Sequence, residues 1–174
     1  MLELYNFPPS TCSLKVRICL AEKGLEWVDH QLDSRDGDHL KPEYLKLNPN
    51  GVVPTLIHDG NVIIDSSVIL EYLDEVFPSV LLTPTDPVRR AHMRKWLRFF
   101  EEVPTPAVRY PTFDKVLING FRKLSPEAFE KAANSRPLRK HFYKRMGQDG
   151  FSEEDVEKAV DDIRTTVARM EAAL

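Results

Sequence analysis

The sequence contains no apolar run near the ~20 residues needed to span a bilayer, so no membrane contact is expected. Its first ten residues, MLELYNFPPS, carry an acid at Glu3 and prolines at positions 8 and 9. The basic start and apolar stretch of a secretory signal are missing. Cysteine is scarce, with only Cys12 and Cys19 present. On one helix these two stand about 10 Å apart at ~1.5 Å per residue, too far for a disulfide. Together these features predict a reducing, cytoplasmic setting. There is no C-x-x-C pair and no glycine-rich phosphate loop, and His30, His39, His58, His92 and His141 show no metal-ligand spacing. A net charge of −3 gives no global pull toward nucleic acid. The run RPLRKHFYKR (136–145) is basic and holds two aromatics, and reads as a solvated helix face or a site rim.

What is present suits one ordinary domain or two small ones: 174 residues, 42% hydrophobic and 29% charged. LELYNF (2–7) is a strand candidate, and Ser10 or Thr11 is a good N-cap for a helix over 12–23. In that helix Leu14, Ile18 and Ala21 fall at helical spacing, with Lys15, Arg17, Glu22 and Lys23 on the other face and Gly24 as the stop. EWVDHQL (26–32) reads as a second strand, 34–40 as a loop and 42–49 as at most a short helix. Two apolar strands flank Asp59-Gly60-Asn61, a hairpin signal. A helix from about Ser66 to Phe77 follows, capped by Asp65 or Ser66, with Ile69, Leu73 and Val76 on one face. After a proline-rich linker (78–90) no strand pattern recurs. A helix from Pro87 is broken at Pro104 and Pro106, 111–135 reads as irregular except for 126–133, and Ser152 to Asp155 forms a capping box. That box opens an amphipathic helix carrying Val156, Val160, Ile163, Val167 and Met170. The element pattern predicts an α/β first part and an all-α second part.

Three stretches carry chemistry. In GVVPTL, Pro54 sits between β-branched runs, so it marks an edge or the end of pairing. It is either a trans proline opening a strand or a cis proline that leaves the Val53 backbone to pair with an extended ligand. In IDSS, Asp65 and Ser66 at a helix start either cap the helix or hold a carboxylate and an ammonium group. In PPSTCS, Ser10, Thr11, Cys12 and Ser13 open a helix whose dipole and free N–H groups stabilise a thiolate, that of Cys12 or of a bound thiol. The plain alternative is a cap followed by a buried cysteine. No histidine lies near in sequence to serve as a base.

In this order and spacing, STCS at a helix start, NPNGVVPTL, a hairpin and DSS-x-I-x-x-Y-L resemble the glutathione transferase superfamily over roughly 2–80. The resemblance implies a thioredoxin-like glutathione-binding domain over 1–80 and an all-helical domain over 87–174. It implies further that Val53, before a cis Pro54, pairs with the cysteinyl backbone of glutathione, that Asp65 and Ser66 hold the γ-glutamyl end, and that Lys41 meets the glycine carboxylate. Subgroups nominate different residues for the sulfur. S-T-C-S-L-K-V-R is similar to the zeta-class pattern, pointing to Ser10 and Cys12, and to the beta-class pattern, pointing to Cys12. The run from NPNGVVPT to DPVRRAHMR is closest to bacterial beta-etherase-like members, which cleave aryl ethers and point to Ser13, the residue this match favours. The implied activity is transfer of the glutathione thiolate to a hydrophobic or aromatic electrophile by a homodimer. An isomerase, a reductase and a non-catalytic glutathione binder are the alternatives. Family members continue with more helices, so against the resemblance the helical domain reads as incomplete at Leu174: either part of the protein is absent from this sequence, or the protein is naturally short.

Overall fold

In the computed structural model, which describes residues 1–173, the first unit is built on a four-stranded sheet ordered β2-β1-β3-β4. β1 (Leu2–Asn6) alternates buried and half-buried residues, the period-two signature of a strand. It pairs in parallel with β2 (Val28–Gln31), Leu4 opposite Asp29, and helix α1 (Thr11–Glu22) makes the crossover that parallel neighbours need. A 3-10 turn (Asp38–Leu40) and α2 (Pro42–Leu47) lead to β3 (Thr55–His58), which runs antiparallel to β1 with Thr55 opposite Tyr5. β4 (Asn61–Ile64) returns along β3, and α3 (Ser66–Val76) follows. The hairpin turns on two residues, Asp59 (φ 48°) and Gly60 (φ 83°), the paired positive φ of a type I′ turn. Asn61, expected in the turn, is the first residue of β4. This is a thioredoxin-like sheet followed by helices.

Leu2, Leu4 and Leu56 of the sheet pack with Val16, Cys19 and Leu20 of α1 and with Ile69 and Leu73 of α3. The buried face of α1 differs from the expected one. Leu14 and Ile18 are 47% and 53% exposed and Ala21 is exposed, whereas Ser13, Val16, Cys19 and Leu20 are buried. α1 is apolar on two sides. The sheet takes the side where small Ser13 and Cys19 flank Val16 and Leu20 and permit close approach. On α3, Ile69 and Leu73 are buried as expected, but Val76, in the last turn, is exposed. Lys23, expected on the polar face of α1, is buried against Asp74 with Nζ 2.7 Å from Oδ1, and it also bonds the Val80 carbonyl. The Asp74 carboxylate accepts the Leu82 and Thr83 amides as well, each at 2.9 Å. Burial pushes the Asp74 carboxyl up, but the Leu82 amide, Lys23 and Thr83 outweigh it and hold the group down at about 2. One carboxylate thereby fixes the chain beyond α3.

The first unit comprises Met1–Arg90 with Arg136–Leu138, and the second Ala91–Ser135 with the chain from Arg139 onward. α4 (Pro87–Glu102) ends before Pro104, as expected, and α5 (Pro104–Ala107) and α6 (Arg109–Thr112) follow. The 111–135 stretch, expected to be mostly irregular, is largely helical. It holds a π turn (Phe113–Leu117) and α7 (Ile118–Phe121), neither expected, and α8 (Pro126–Asn134), the helical piece expected at 126–133, capped by Ser125. Helices this short have no independent stability in water. A cluster of Phe113, Ile118, Phe129, Tyr143, Met146 and Phe151 supplies it through packing. α9 (Lys140–Met146) precedes α10 (Glu153–Glu171), whose N-cap Ser152 accepts the Asp155 amide at 3.1 Å, the expected cap. Along α10, Val156, Val160 and Ile163 are half-buried while Val167 and Met170 are exposed, so the expected apolar stripe is buried only in its first half. No helix among the described residues is long and apolar enough to cross a membrane.

Replacing Lys23 with Met leaves the Asp74 carboxylate buried without its cation, and urea unfolding is expected to show a loss of about 3–5 kcal/mol. Asp74 is depressed in the fold relative to the ~3.9 of an unfolded aspartate. Its contribution is therefore complete above pH ~4 and is lost as pH falls toward 2. Asp74→Asn is expected to flatten stability against pH across that interval, and an unchanged slope would refute the pin.

Candidate active site

Three turns meet at one end of the sheet because of strand register. Tyr5 opposes Thr55, and Thr55 opposes Ile64. The exit of β1, the entry of β3 and the exit of β4 therefore lie side by side. The first leads to the STCS tetrad, the second is preceded by Val53–Pro54, and the third leads to Asp65–Ser66. Seven of the eight residues singled out from sequence belong to these turns. The eighth, Lys41, is exposed at the start of α2 with its ammonium 2.6 Å from Asp38 Oδ1. The hydrogen bond to Asp38 raises its pKa, and no contact among the described residues ties it to the other seven.

Ser10 caps α1, accepting the Ser13 amide on Oγ at 3.2 Å. A hydroxyl that accepts in this way keeps its proton to donate elsewhere. Cys12 is half-buried and its thiol is free. Thr11 is exposed. Ser13, on the sheet-facing side of α1, is 0% exposed and its Oγ accepts the Phe7 amide at 3.4 Å. The start of α1 thus presents Ser10 and Cys12, with Ser13 beneath them. Cys19, two turns further along α1 on its sheet-facing side, is buried, and burial pushes its thiol up while Lys23 opposes.

Val53 is buried and precedes a cis bond to Pro54, while β3 starts only at Thr55. Two residues that sequence reasoning passed over shape this approach. Tyr44 OH donates to the Val52 carbonyl at 2.6 Å and bonds Thr55 Oγ1 at 2.8 Å. Asn48 Nδ2 donates to the same carbonyl at 2.9 Å and to Thr55 Oγ1 at 3.0 Å, and its Oδ1 accepts the Asn50 amide. Burial raises the Tyr44 phenol, with the Thr55 and Asn48 bonds opposing, so the group stays a donor. The signal for Asn48 was its place before proline, where a short amide side chain closes a turn on its own backbone.

Asp65 combines a cap with an unusual backbone. Its φ is 72° and its Oδ1 accepts the Ser67 amide at 2.9 Å and the Val68 amide at 3.1 Å. A non-glycine residue in this region stores about 1–3 kcal/mol of strain and is enriched at ligand sites. Ser66 is buried, and no described residue bonds its hydroxyl. Lys15 Nζ reaches from α1 to Ser67 Oγ at 3.1 Å, joining two of the three turns. Lys15 and Arg17 were visible in the sequence only as charges on a helix face, and nothing local marked their partners.

The chain is similar to known proteins. A family model described as "Glutathione S-transferase, N-terminal domain" matches residues 9–76. Protein LigF of Sphingobium sp. is 36% identical over 99% of this chain and 69% of its own length. The crystal structure of beta-etherase LigF from Sphingobium sp. strain SYK-6 superposes with a TM-score of 0.88, covering 98% of this chain and 72% of that one. Maleylacetoacetate isomerase of Pseudomonas aeruginosa is 45% identical, but over 53% of this chain and 45% of the isomerase. A glutathione transferase homologue from sulfitobacter, solved with bound glutathione, covers 99% of this chain and 95% of its own at 24% identity and a TM-score of 0.59, a likeness of fold alone.

Because Asn48 makes three of the bonds that shape the Val52–Thr55 approach, Asn48→Ala is expected to destabilise the protein by about 2–3 kcal/mol, and Tyr44→Phe by about 1 kcal/mol. Urea midpoints should fall in that order with unchanged slope. In hydrogen exchange the amides of residues 50–53 should be deprotected more than those of β1. Uniform deprotection would remove Asn48 from this role.

Proposed function

The chain belongs to the glutathione S-transferase superfamily, and from that premise we propose that it binds glutathione and transfers its thiolate to a hydrophobic electrophile, an aryl ether in the first instance. The observation that carries the choice of ether is the likeness to LigF across 99% of the chain, where the isomerase likeness covers only 53%. In this reading the cysteinyl backbone of glutathione pairs with Val53, ahead of Pro54. The γ-glutamyl end lies at Asp65 and Ser66: the Ser66 N–H and hydroxyl serve its carboxylate, since the Ser67 and Val68 amides already bond Asp65 Oδ1, and the Asp65 carboxylate meets its ammonium. Lys41 serves the glycine carboxylate. The sulfur lies at the start of α1, where N–H groups and the helix dipole favour its ionised form.

Of the tetrad we favour Ser10 as the hydrogen-bond donor to the sulfur, since its proton is uncommitted. Cys12 lies beside it. Ser13, favoured on subgroup likeness, supports Phe7 from below and has no exposed surface to offer a ligand. The bound thiolate attacks the carbon that carries the ether oxygen. A C–S bond forms, the C–O bond breaks, and the aryloxide leaves with the electron pair and takes a proton from water. A homodimer of such chains, each with its thioredoxin-like part over 1–80 and helical part over 87–174, belongs to the same proposal.

Calorimetric titration should show glutathione binding at millimolar concentration or below, and no heat there overturns the reading. With an ether bearing a chromogenic phenol, release should require glutathione. Binding without phenol release would leave the protein as an isomerase or a non-catalytic binder. Ser10→Ala is expected to lower kcat/KM about 10- to 100-fold, matching the ~1.5–3 kcal/mol of a hydrogen bond to a charged group. Cys12→Ala and Ser13→Ala should cost less. Full rates in all three variants would rule out the start of α1 as the sulfur site.

A further inference from the structure

Arg17 stands on the second turn of α1, yet its side chain works at the turn before the helix begins. Long helical side chains lean toward the N-terminus, and this one runs back to the exit of β1. Its Nη1 donates to Asn6 Oδ1 at 2.6 Å and to the Phe7 carbonyl at 3.3 Å, and its Nη2 to the Pro8 carbonyl at 2.9 Å. The Phe7 carbonyl also accepts the Ser10 amide at 3.1 Å. Phe7 is held from its other side by Ser13, which accepts its N–H. Ser10 is therefore hung on a residue, Phe7, that Ser13 holds at its N–H and Arg17 at its carbonyl.

The charge of Arg17 is the second observation. The side chain is half-buried, and its acceptors are three neutral oxygens. Among the described residues no carboxylate forms an ion pair with it. Asp29 connects to it only through the Asn6 amide, whose Nδ2 lies 2.6 Å from Asp29 Oδ1. A partly desolvated cation without a counterion is unfavourable unless an anion completes it. Its fork spreads over the turn from which Ser10 and Cys12 are presented.

We propose that Arg17 is the positioning residue of the thiolate site: it fixes the Phe7–Pro8 turn that aims the Ser10 hydroxyl, and its uncompensated guanidinium favours the anionic form of a sulfur bound there. This rests on the glutathione reading. The other titratable groups at this end of the sheet include Cys12 and Lys15 on α1, Tyr5 on β1, Asp29 on β2, Tyr44 on α2, Asp65 before α3, and His39, whose ring meets that of Phe7. None of them changes in the variants below.

The test follows the ionisation of bound glutathione by thiolate absorbance and the pH profile of kcat/KM, in wild type, Arg17→Lys and Arg17→Met. In wild type the bound thiol should titrate below the ~8.5 of a free thiol. In Arg17→Met the limb should move up by about one pH unit, roughly a tenfold loss of thiolate below it, while KM for glutathione stays within about twofold. Arg17→Lys keeps the charge but cannot span both carbonyls and Asn6. Its limb should move less, and its kcat should fall several-fold. If Arg17→Met does not fold, as judged by near-ultraviolet dichroism, Arg17→Lys decides on kcat. Superimposable profiles and rates in the folded variants overturn the proposal while leaving glutathione binding intact. Absence of glutathione binding by wild type overturns both.

Discussion

The antiparallel register of β1, β3 and β4 is the constraint on which the first unit depends. Tyr5, Thr55 and Ile64 stand in one row, and that row decides which loops become neighbours. A slip of one residue would turn Leu4 and Leu56 away from α1 and α3 and send Glu3 and Ile57 in their place. Leu4 and Leu56 are both fully buried, so the hydrophobic core and the meeting of the three turns are enforced by the same pairing. The type I′ turn at Asp59–Gly60 sets the β3–β4 half of that register with two residues of positive φ. The site is a consequence of sheet geometry before any side chain at it is considered.

Polar groups do much of the remaining fixing, and they act on backbone. Asp74 accepts two amides of the chain after α3, Asn48 and Tyr44 share the Val52 carbonyl, and Arg17 takes the Phe7 and Pro8 carbonyls. Each converges on a segment that leaves the sheet or a helix and so loses the partners that regular structure provides. A buried backbone group without a partner is unfavourable by ~1–3 kcal/mol. The segments that form the turns therefore need dedicated side chains, and those side chains come from elements already fixed by the core.

This division explains what was legible in the sequence. The strands, the hairpin and both major caps, Asp65 and Ser152, are local patterns and could be read directly. The tetrad, Val53–Pro54 and Asp65–Ser66 could be singled out because caps and prolines carry local signals. The face of α1 could not be chosen, because Leu14 and Ile18 form as good a stripe as Val16 and Leu20, and only the sheet discriminates between them. Of the short pieces in the second unit, the helix at Pro126–Asn134 could be read, but Phe113–Leu117 and Ile118–Phe121 could not, since an aromatic cluster drawn from Phe113 to Phe151 holds them together. The partners of Arg17, Lys15 and Lys23 lie in other elements or at the far end of a turn, where no local pattern reaches. Lys23 and Asp74 are 51 residues apart.

The same physics accounts for why subgroup likeness nominated three different residues for one sulfur. In the proposed site the start of α1 supplies free N–H groups and the positive end of a dipole whatever side chain stands there. A hydroxyl or thiol adds one hydrogen bond to that field, about 1.5–3 kcal/mol when the partner is charged, so the position of the donor can move by a residue or two without dismantling the field. What cannot move is the backbone that aims the helix start. In the proposed site that backbone is the Phe7–Pro8 turn, clamped by Ser13 and Arg17, and its geometry leaves Ser10 and Cys12 half-buried and Ser13 buried. Ser13 serves the clamp and is buried by doing so. Ser10 hangs from it, half-buried, with a hydroxyl proton that its bond from the Ser13 amide does not use. The choice of Ser10 in the proposed site therefore rests on the backbone hydrogen bonds of the preceding turn, since the tetrad's letters admit all three.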